Sequence, residues 1–329
     1  MLNQIQPKEV TLLRRAVAMA MVMLVLASAL SGCQPLVQDA DGPITVYATF
    51  YPIYALTDAV MRDVPEATLH CLVQPQDDCL RSYQLSDWDK AILTRGADAV
   101  IACGRGLESF ESTLFGWGEG GPAISAVLYN LELYNPQQNA VDGEAQSHLQ
   151  GPNPHLYMSL EGAKQMVESI SATMVSLDPV YAEQYIDNAQ ASLEALDEAL
   201  ASARNRLAGY AGRRVALMSE ALIYIARDYR LDVAEWIERE TGAVCGDNEL
   251  VAWLDRLDKA EAEVVLIERQ APQGLREALE AAGYTVALID VLSTHVEGEG
   301  FDRYLEIQGE NAQSILDAFL RADARKEQH

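Results

Sequence analysis

Between Pro179 and Gly209 the chain contains no proline and no further glycine, and no other feature limits the fold so strongly. Tyr185, Ala189, Leu193, Leu196, Leu200 and Leu207 recur there at helical spacing, and Gly209 supplies a stop. The pattern predicts one helix of about 30 residues, roughly 45 Å long at 1.5 Å per residue. A helix of that length is out of scale for a compact α/β domain and reads as a strut between two lobes.

Both flanks of this helix alternate strand and helix patterns. On the N-terminal side, Ile44–Phe50 is a β-branched and aromatic run, followed by a helix over Pro52–Met61. Thr68–Val73 reads as a strand, Ser86–Arg95 as a Ser-capped helix, and Ala99–Ala102 as a third strand. Residues 116–150 are rich in Gly, Pro, Asn and Gln and predict an irregular excursion with one strand near Ala123–Val127. On the C-terminal side, strands are expected at Arg214–Met218, Val264–Ile267 and Thr285–Ile289. Helices are expected at Ala221–Tyr229, Asp247–Ala260, Gln273–Ala282 and Phe301–Leu320. Such alternation predicts an α/β fold of two parallel-sheet lobes joined by one long backbone helix. The expected divisions are an N-terminal lobe over 44–177, the linking helix over 178–209, a C-terminal lobe over 210–323 and a tail over 324–329.

The first 33 residues stand apart. Lys8, Arg14 and Arg15 precede an apolar run from Ala16 to Leu30, the charge order of an export signal. At about 15 residues the run is short for a membrane-spanning helix of ~20. It ends in Leu30-Ser-Gly-Cys33, which resembles a bacterial lipobox, with a plain signal peptide or an uncleaved anchor as the alternatives. On this reading residues 1–33 are a lipoprotein signal peptide, Cys33 takes the lipid, and 34–43 is a tether holding an extracytoplasmic protein to the membrane. Cys71, Cys79, Cys103 and Cys245 then remain in an oxidising setting. Four cysteines allow three pairings; Cys71 and Cys79 flank a loop and are the favoured disulfide, with Cys103 and Cys245 either paired or left as buried thiols. No pair has zinc-finger spacing. A net charge of −25, from 24 basic and 49 acidic residues, argues against nucleic acid and anionic lipid as electrostatic partners.

In parallel α/β sheets ligands bind beyond the carboxyl ends of the strands. Three metal-ligand candidates fall at such points. His155 follows Asn153-Pro154, Glu220 follows the strand at 214–218, and Asp290 follows the strand at 285–289. One imidazole with two carboxylates suits Mn(II), Fe(II) or Zn(II). Each residue also has an ordinary structural role open to it: a cap or surface histidine, a carboxylate at a helix start, and a turn aspartate.

Several segments carry a resemblance. Ala48-Thr-Phe-Tyr-Pro-Ile-Tyr54, Gly96-Ala-Asp-Ala-Val-Ile101, Gly104-Arg-Gly-Leu-Glu108, Asn153-Pro-His-Leu-Tyr157, Asp178-Pro179 through Asn188, Ser219-Glu-Ala-Leu-Ile-Tyr-Ile-Ala226, Leu288-Ile-Asp290 and Tyr304 to Asn311 occur in the order of known landmarks. Together they resemble the zinc- and manganese-binding lipoproteins that serve ABC importers, the cluster A-I family. The resemblance implies two lobes on a long helix, no enzymatic activity, and a divalent ion, Mn(II) or Zn(II), captured between the lobes for a membrane permease. It also implies metal ligation by His155, Glu220 and Asp290, with Glu220 at a position where zinc members carry His and manganese members Glu.

One landmark departs. The family's first ligand is a His in a Pro-Gly-x-x-Pro-His-x-Tyr loop, whereas this chain reads Pro75-Gln-Asp-Asp-Cys-Leu-Arg-Ser-Tyr83, placing Arg81 at that position. An arginine is permanently charged and has no lone pair to offer. Cys79, Asp77 and Asp78 are the candidate replacements. The same fold could instead bind an anionic or other small ligand, or act as a surface interaction protein in the manner of an adhesin. No nucleophile triad, phosphate loop or paired-acid motif points to an enzyme.

Overall fold

A computed structural model of the chain describes residues 42–74, 83–118, 120–135, 152–237, 247–294 and 297–328. The expected export segment with Cys33, and Asp77, Asp78, Cys79, Arg81 and Cys245, lie outside them. Among the described residues no helix is long and apolar enough to cross a membrane.

Two four-stranded parallel sheets carry the fold. The first contains β1 (Ile44–Ala48), β2 (Ala67–Cys71), β3 (Ala99–Ala102) and β4 (Ala123–Ala126) in the order β2-β1-β3-β4. The second contains β5 (Arg214–Leu217), β6 (Asp232–Trp236), β7 (Val264–Glu268) and β8 (Val286–Ile289) in the order β6-β5-β7-β8. Parallel neighbours need crossovers, which bury both faces of the inner strands. Accordingly every residue of β3 and β7 is buried. In each sheet the chain reverses its direction of winding between the two central strands, and the crevice beyond that point is where such sheets admit ligands.

Helix α1 (Tyr51–Met61) follows β1, and α2 (Asp87–Gly96) follows β2. The expected Ser cap of α2 is present as a full capping box between Ser86 and Asp89. A short α3 (Glu111–Phe115) precedes β4, and α4 (Leu160–Leu177) leads towards the linking helix. The linking segment begins as a 3-10 turn at Pro179–Tyr181 and continues as α5 (Ala182–Arg206), 25 residues long. It buries Tyr185, Ala189, Leu196, Leu200 and Ala203 against α4, α1 and the C-terminal helix. Side chains lock it in place, because Asn188 Nδ2 donates to Val60 O and Arg62 O and Ser192 Oγ to Ala59 O. These three carbonyls belong to the last turn of α1, which has no partners of its own for them. The second lobe adds α6 (Ile223–Asp228), α7 (Asp247–Ala260), α8 (Gln273–Ala281) and α9 (Phe301–Lys326).

Two expectations change. The C-terminal helix does not stop at Leu320 before a tail; it runs to Lys326 and packs on α1 and α5 as well as on β8. Its Tyr304 Oη donates to Tyr157 O in the first lobe. One continuous apolar core therefore spans both sheets, with a second cluster only on the outer face of the second sheet. Cys71, expected to bridge Cys79, is a buried free thiol that donates to Val73 O, and Cys103 is buried and free as well. Burial and the nearby Glu297 carboxylate push the Cys71 thiol up to about 12.

Candidate metal centre

The turn Asn153-Pro154-His155 is held from three sides. Asn153 is fully buried, its N donates to Tyr134 O, and its carbonyl accepts from Tyr224 Oη, which in turn accepts from Tyr134 N. The Asn153 Oδ1 accepts both the backbone N and the ring Nδ1 of His155, each at 2.9 Å. The backbone N of His155 can only donate, which identifies the shared Asn153 atom as the oxygen, so the neutral ring carries its proton on Nδ1 and leaves Nε2 unprotonated. That is the tautomer a metal-ligating histidine needs.

Asn153 also reaches the second lobe, where its Nδ2 donates to Glu220 O at 2.8 Å. Glu220 opens a 3-10 turn just past β5, with Ser219 Oγ accepting from Ala221 N. Its carboxylate Oε1 lies 3.7 Å from His155 Nδ1, and both side chains are largely shielded from water. One asparagine thus fixes two candidate ligands from different lobes.

Asp290 follows β8 and is buried. Asn311 of α9 grips its backbone, accepting from Asp290 N at 2.8 Å and donating to Asp290 O at 2.9 Å. Its Oδ1 accepts from Leu292 N, an arrangement that holds the buried Leu292 in the left-handed region at φ 67°. Its Oδ2 faces the Arg269 guanidinium at 3.5 Å. Among the described residues no three His, Cys, Asp or Glu side chains form a group that could hold a metal. The structure brings His155 and Glu220 together, while Asp290 is drawn to Arg269.

Buried acids that sequence reasoning passed over frame the site. Glu108 accepts from Thr49 Oγ1, Cys103 N and Gly104 N, joining the carboxyl ends of β1 and β3. Burial raises its carboxyl above the ordinary range despite these donors. Asp228 of α6 accepts from Ser159 Oγ, Leu160 N and Glu161 N, capping α4 from the other lobe. Burial likewise raises its carboxyl. Glu268, fully buried, ends β7 between the strands that lead to Glu220 and Asp290. A charged residue closing the all-apolar run Val264–Ile267 was its available signal. Beyond Asp290 the chain is strapped to the first lobe: Glu297 accepts from Cys71 N and meets His70 Nδ1, Gly298 N donates to Tyr54 Oη, and Phe301 N donates to Asp58 Oδ2.

The comparisons with known proteins agree with this architecture. Residues 46–318 match the family described as ZnuA, zinc-uptake complex component A, periplasmic. The chain is 28% identical over 210 residues to the iron-binding protein YfeA of Yersinia pestis, a match spanning 63% of this chain and 62% of that protein. The substrate-binding protein FpvC of Pseudomonas aeruginosa in complex with Mn2+ has a similar fold, with a TM-score of 0.71 at 20% identity over 85% of this chain and 99% of that one. So does the Zn(II)-bound ZnuA-like domain of Streptococcus pneumoniae AdcA, with a TM-score of 0.68 at 19% identity over 84% and 99%. With most of both sheets and the helices between them inside the matched span, this chain belongs to the family of periplasmic zinc-uptake complex components A.

Proposed function

We propose that the protein is a non-enzymatic, extracytoplasmic binding component of a metal-ion ABC importer. It captures Mn(II) or Zn(II) between the lobes and hands the ion to a membrane permease. The lipid on Cys33 keeps it beside that permease. The observation that carries this reading is the Asn153 clamp, which fixes the His155 proton on Nδ1 and holds Glu220 of the other lobe beside the same imidazole. Asp290 is the third ligand, and Cys79, Asp77 or Asp78 takes the place that Arg81 leaves unfilled. Nitrogen and carboxylate donors suit borderline-to-hard divalent ions. The named relatives bind iron, manganese and zinc, which falls in the same range.

Ligands drawn from both lobes couple occupancy to lobe position, and the shared core restricts that response to local ordering near the site. A Glu220→Ala, Asp290→Ala double variant should lose Mn(II) and Zn(II) binding in calorimetric titration. Unchanged affinity would refute the ligand set. The Arg269–Asp290 pair, together with Arg81 at the family's first-ligand position, favours one second reading: a site that binds an anionic ligand. Binding of an anion but of neither ion would select it.

A further inference from the structure

Arginines around the end of the linking helix differ in how far they are engaged. Arg206 donates to Gly309 O and Gln313 Oε1, Arg213 pairs with Glu263 and Asp323, and Arg227 lies over the Tyr134 ring. Arg204 and Arg230 are less committed. Among the described residues Arg204 makes one hydrogen bond, from Nε to Asp228 O at 2.8 Å, which leaves both terminal nitrogens of its fork available. The Arg230 side chain makes no hydrogen bond or ion pair with those residues. Both line a cleft of about 490 Å³ where the end of α5 meets the turn between α6 and β6, and Asn205 adds a carboxamide to the same wall. Glu161 and Asp197 line it too, but Lys164 bridges the pair at 3.2 and 2.6 Å. The neighbouring Asp228 carboxylate is taken up by Ser159 Oγ, Leu160 N and Glu161 N. None of His155, Glu220 and Asp290 lines this cleft.

The backbone of Arg230 is a second, independent sign. It stands just past the end of α6, where Arg230 N donates to Arg227 O and Leu231 N to Ala226 O, the paired bonds of a Schellman motif. That motif places Arg230 in the left-handed region, at φ 58°, where glycine is the unstrained residue. A long cationic side chain held there, over a cleft, is an outlier that points to a use. We infer that this cleft is a binding site separate from the metal centre, and that it takes a small oxyanion, a phosphate or a carboxylate, on the guanidiniums of Arg204 and Arg230. Planar forks of donors match the oxygens of either group. The site goes beyond the importer reading and does not depend on it. An anion held by both arginines ties the end of α5 to the second lobe, so its binding stabilises the folded chain.

The test is calorimetric titration of the full chain, metal-free and in detergent, with inorganic phosphate and with succinate at fixed sodium chloride. Wild type should bind at least one of them saturably, and its melting temperature should rise as the site fills. The tighter of the two tells a phosphate site from a carboxylate site. Arg230→Gly should weaken that anion roughly tenfold or more. Its melting temperature without anion should hold, because glycine suits the left-handed backbone. Arg230→Lys keeps the charge without the fork and should weaken binding several-fold. Asp197→Asn removes a like charge from the wall and should tighten binding several-fold, which damage to the fold cannot mimic. Binding of neither anion overturns the site. So does an affinity unchanged in Arg230→Gly, which would put the anion elsewhere on the protein.

Discussion

The Asn311 carboxamide holds both the N–H and the carbonyl of Asp290, at 2.8 and 2.9 Å, so a helix that also packs on the first lobe sets where this carboxylate stands. All four groups are buried, and removing the amide strands two backbone groups away from water. Asn311→Ala should cost on the order of 2–3 kcal/mol in chemical denaturation. Metal affinity should fall with it, by roughly 10-fold or more, as outer-shell losses do. Full retention of both would mean that Asp290 is positioned by its own loop.

Asn153 makes a sharper separation possible. Asn153→Asp keeps an acceptor for His155 N and Nδ1 but cannot donate to Glu220 O. Asn153→Ala loses both. The expected order of metal affinity is wild type, then Asp, then Ala, with the Ala variant weaker by roughly 10–100-fold. Titration of the three proteins side by side checks the order, and equal affinities would remove the clamp from the account.

Gly162 is required by close approach. A Cβ there would meet Leu156 O at 2.7 Å and the Leu156 side chain, and Leu156 adjoins His155. The contact includes backbone, so it cannot be relieved by a rotamer change. Gly162→Ala should destabilise the protein by about 1–3 kcal/mol, the usual cost of overpacking. It should weaken metal binding as the turn is pushed aside. A melting temperature equal to wild type would show that the turn yields freely.

Acid sensitivity should come from the far end of the second lobe. The Arg213 guanidinium, aided by Lys326 and opposed by burial, holds the Glu263 carboxyl at about 2, below its ordinary 4.5. A depressed carboxyl contributes stability that is complete above the unfolded value and lost as pH falls from about 4.5 towards 2. Glu263→Gln should therefore cost on the order of 2 kcal/mol at pH 7 and flatten the stability curve through that acid window. Denaturant titrations at pH 7, 4 and 3 measure both effects, and parallel curves for variant and wild type would contradict them.

The architecture was legible because its determinants are local. The uninterrupted Tyr185–Leu207 periodicity marked the linking helix, and apolar runs marked the central strands. The points just beyond those strands marked Glu220 and Asp290. What escaped depends on contacts between distant segments. Helix α4 begins beside Gly162, which weakens its local helical signal although packing against Leu156 demands it. Strand β6 is short, lies at a sheet edge and carries Asp232 and Glu235, so its pattern is faint. Asn311 acts across 21 residues of sequence and Asp228 across 67 to 69, and no spacing rule connects them to the groups they hold. Cys71 and Cys79 looked like a bridge from proximity along the chain alone.

The most direct test of the central claim is a crystal structure of the Mn(II)-loaded protein, with the ion located by anomalous scattering. The account expects one peak between the lobes, within about 2.0–2.3 Å of His155 Nε2 and of oxygens from Glu220 and Asp290. A fully occupied ion elsewhere on the protein, or crystals grown in excess Mn(II) with no peak between these three side chains, would contradict it.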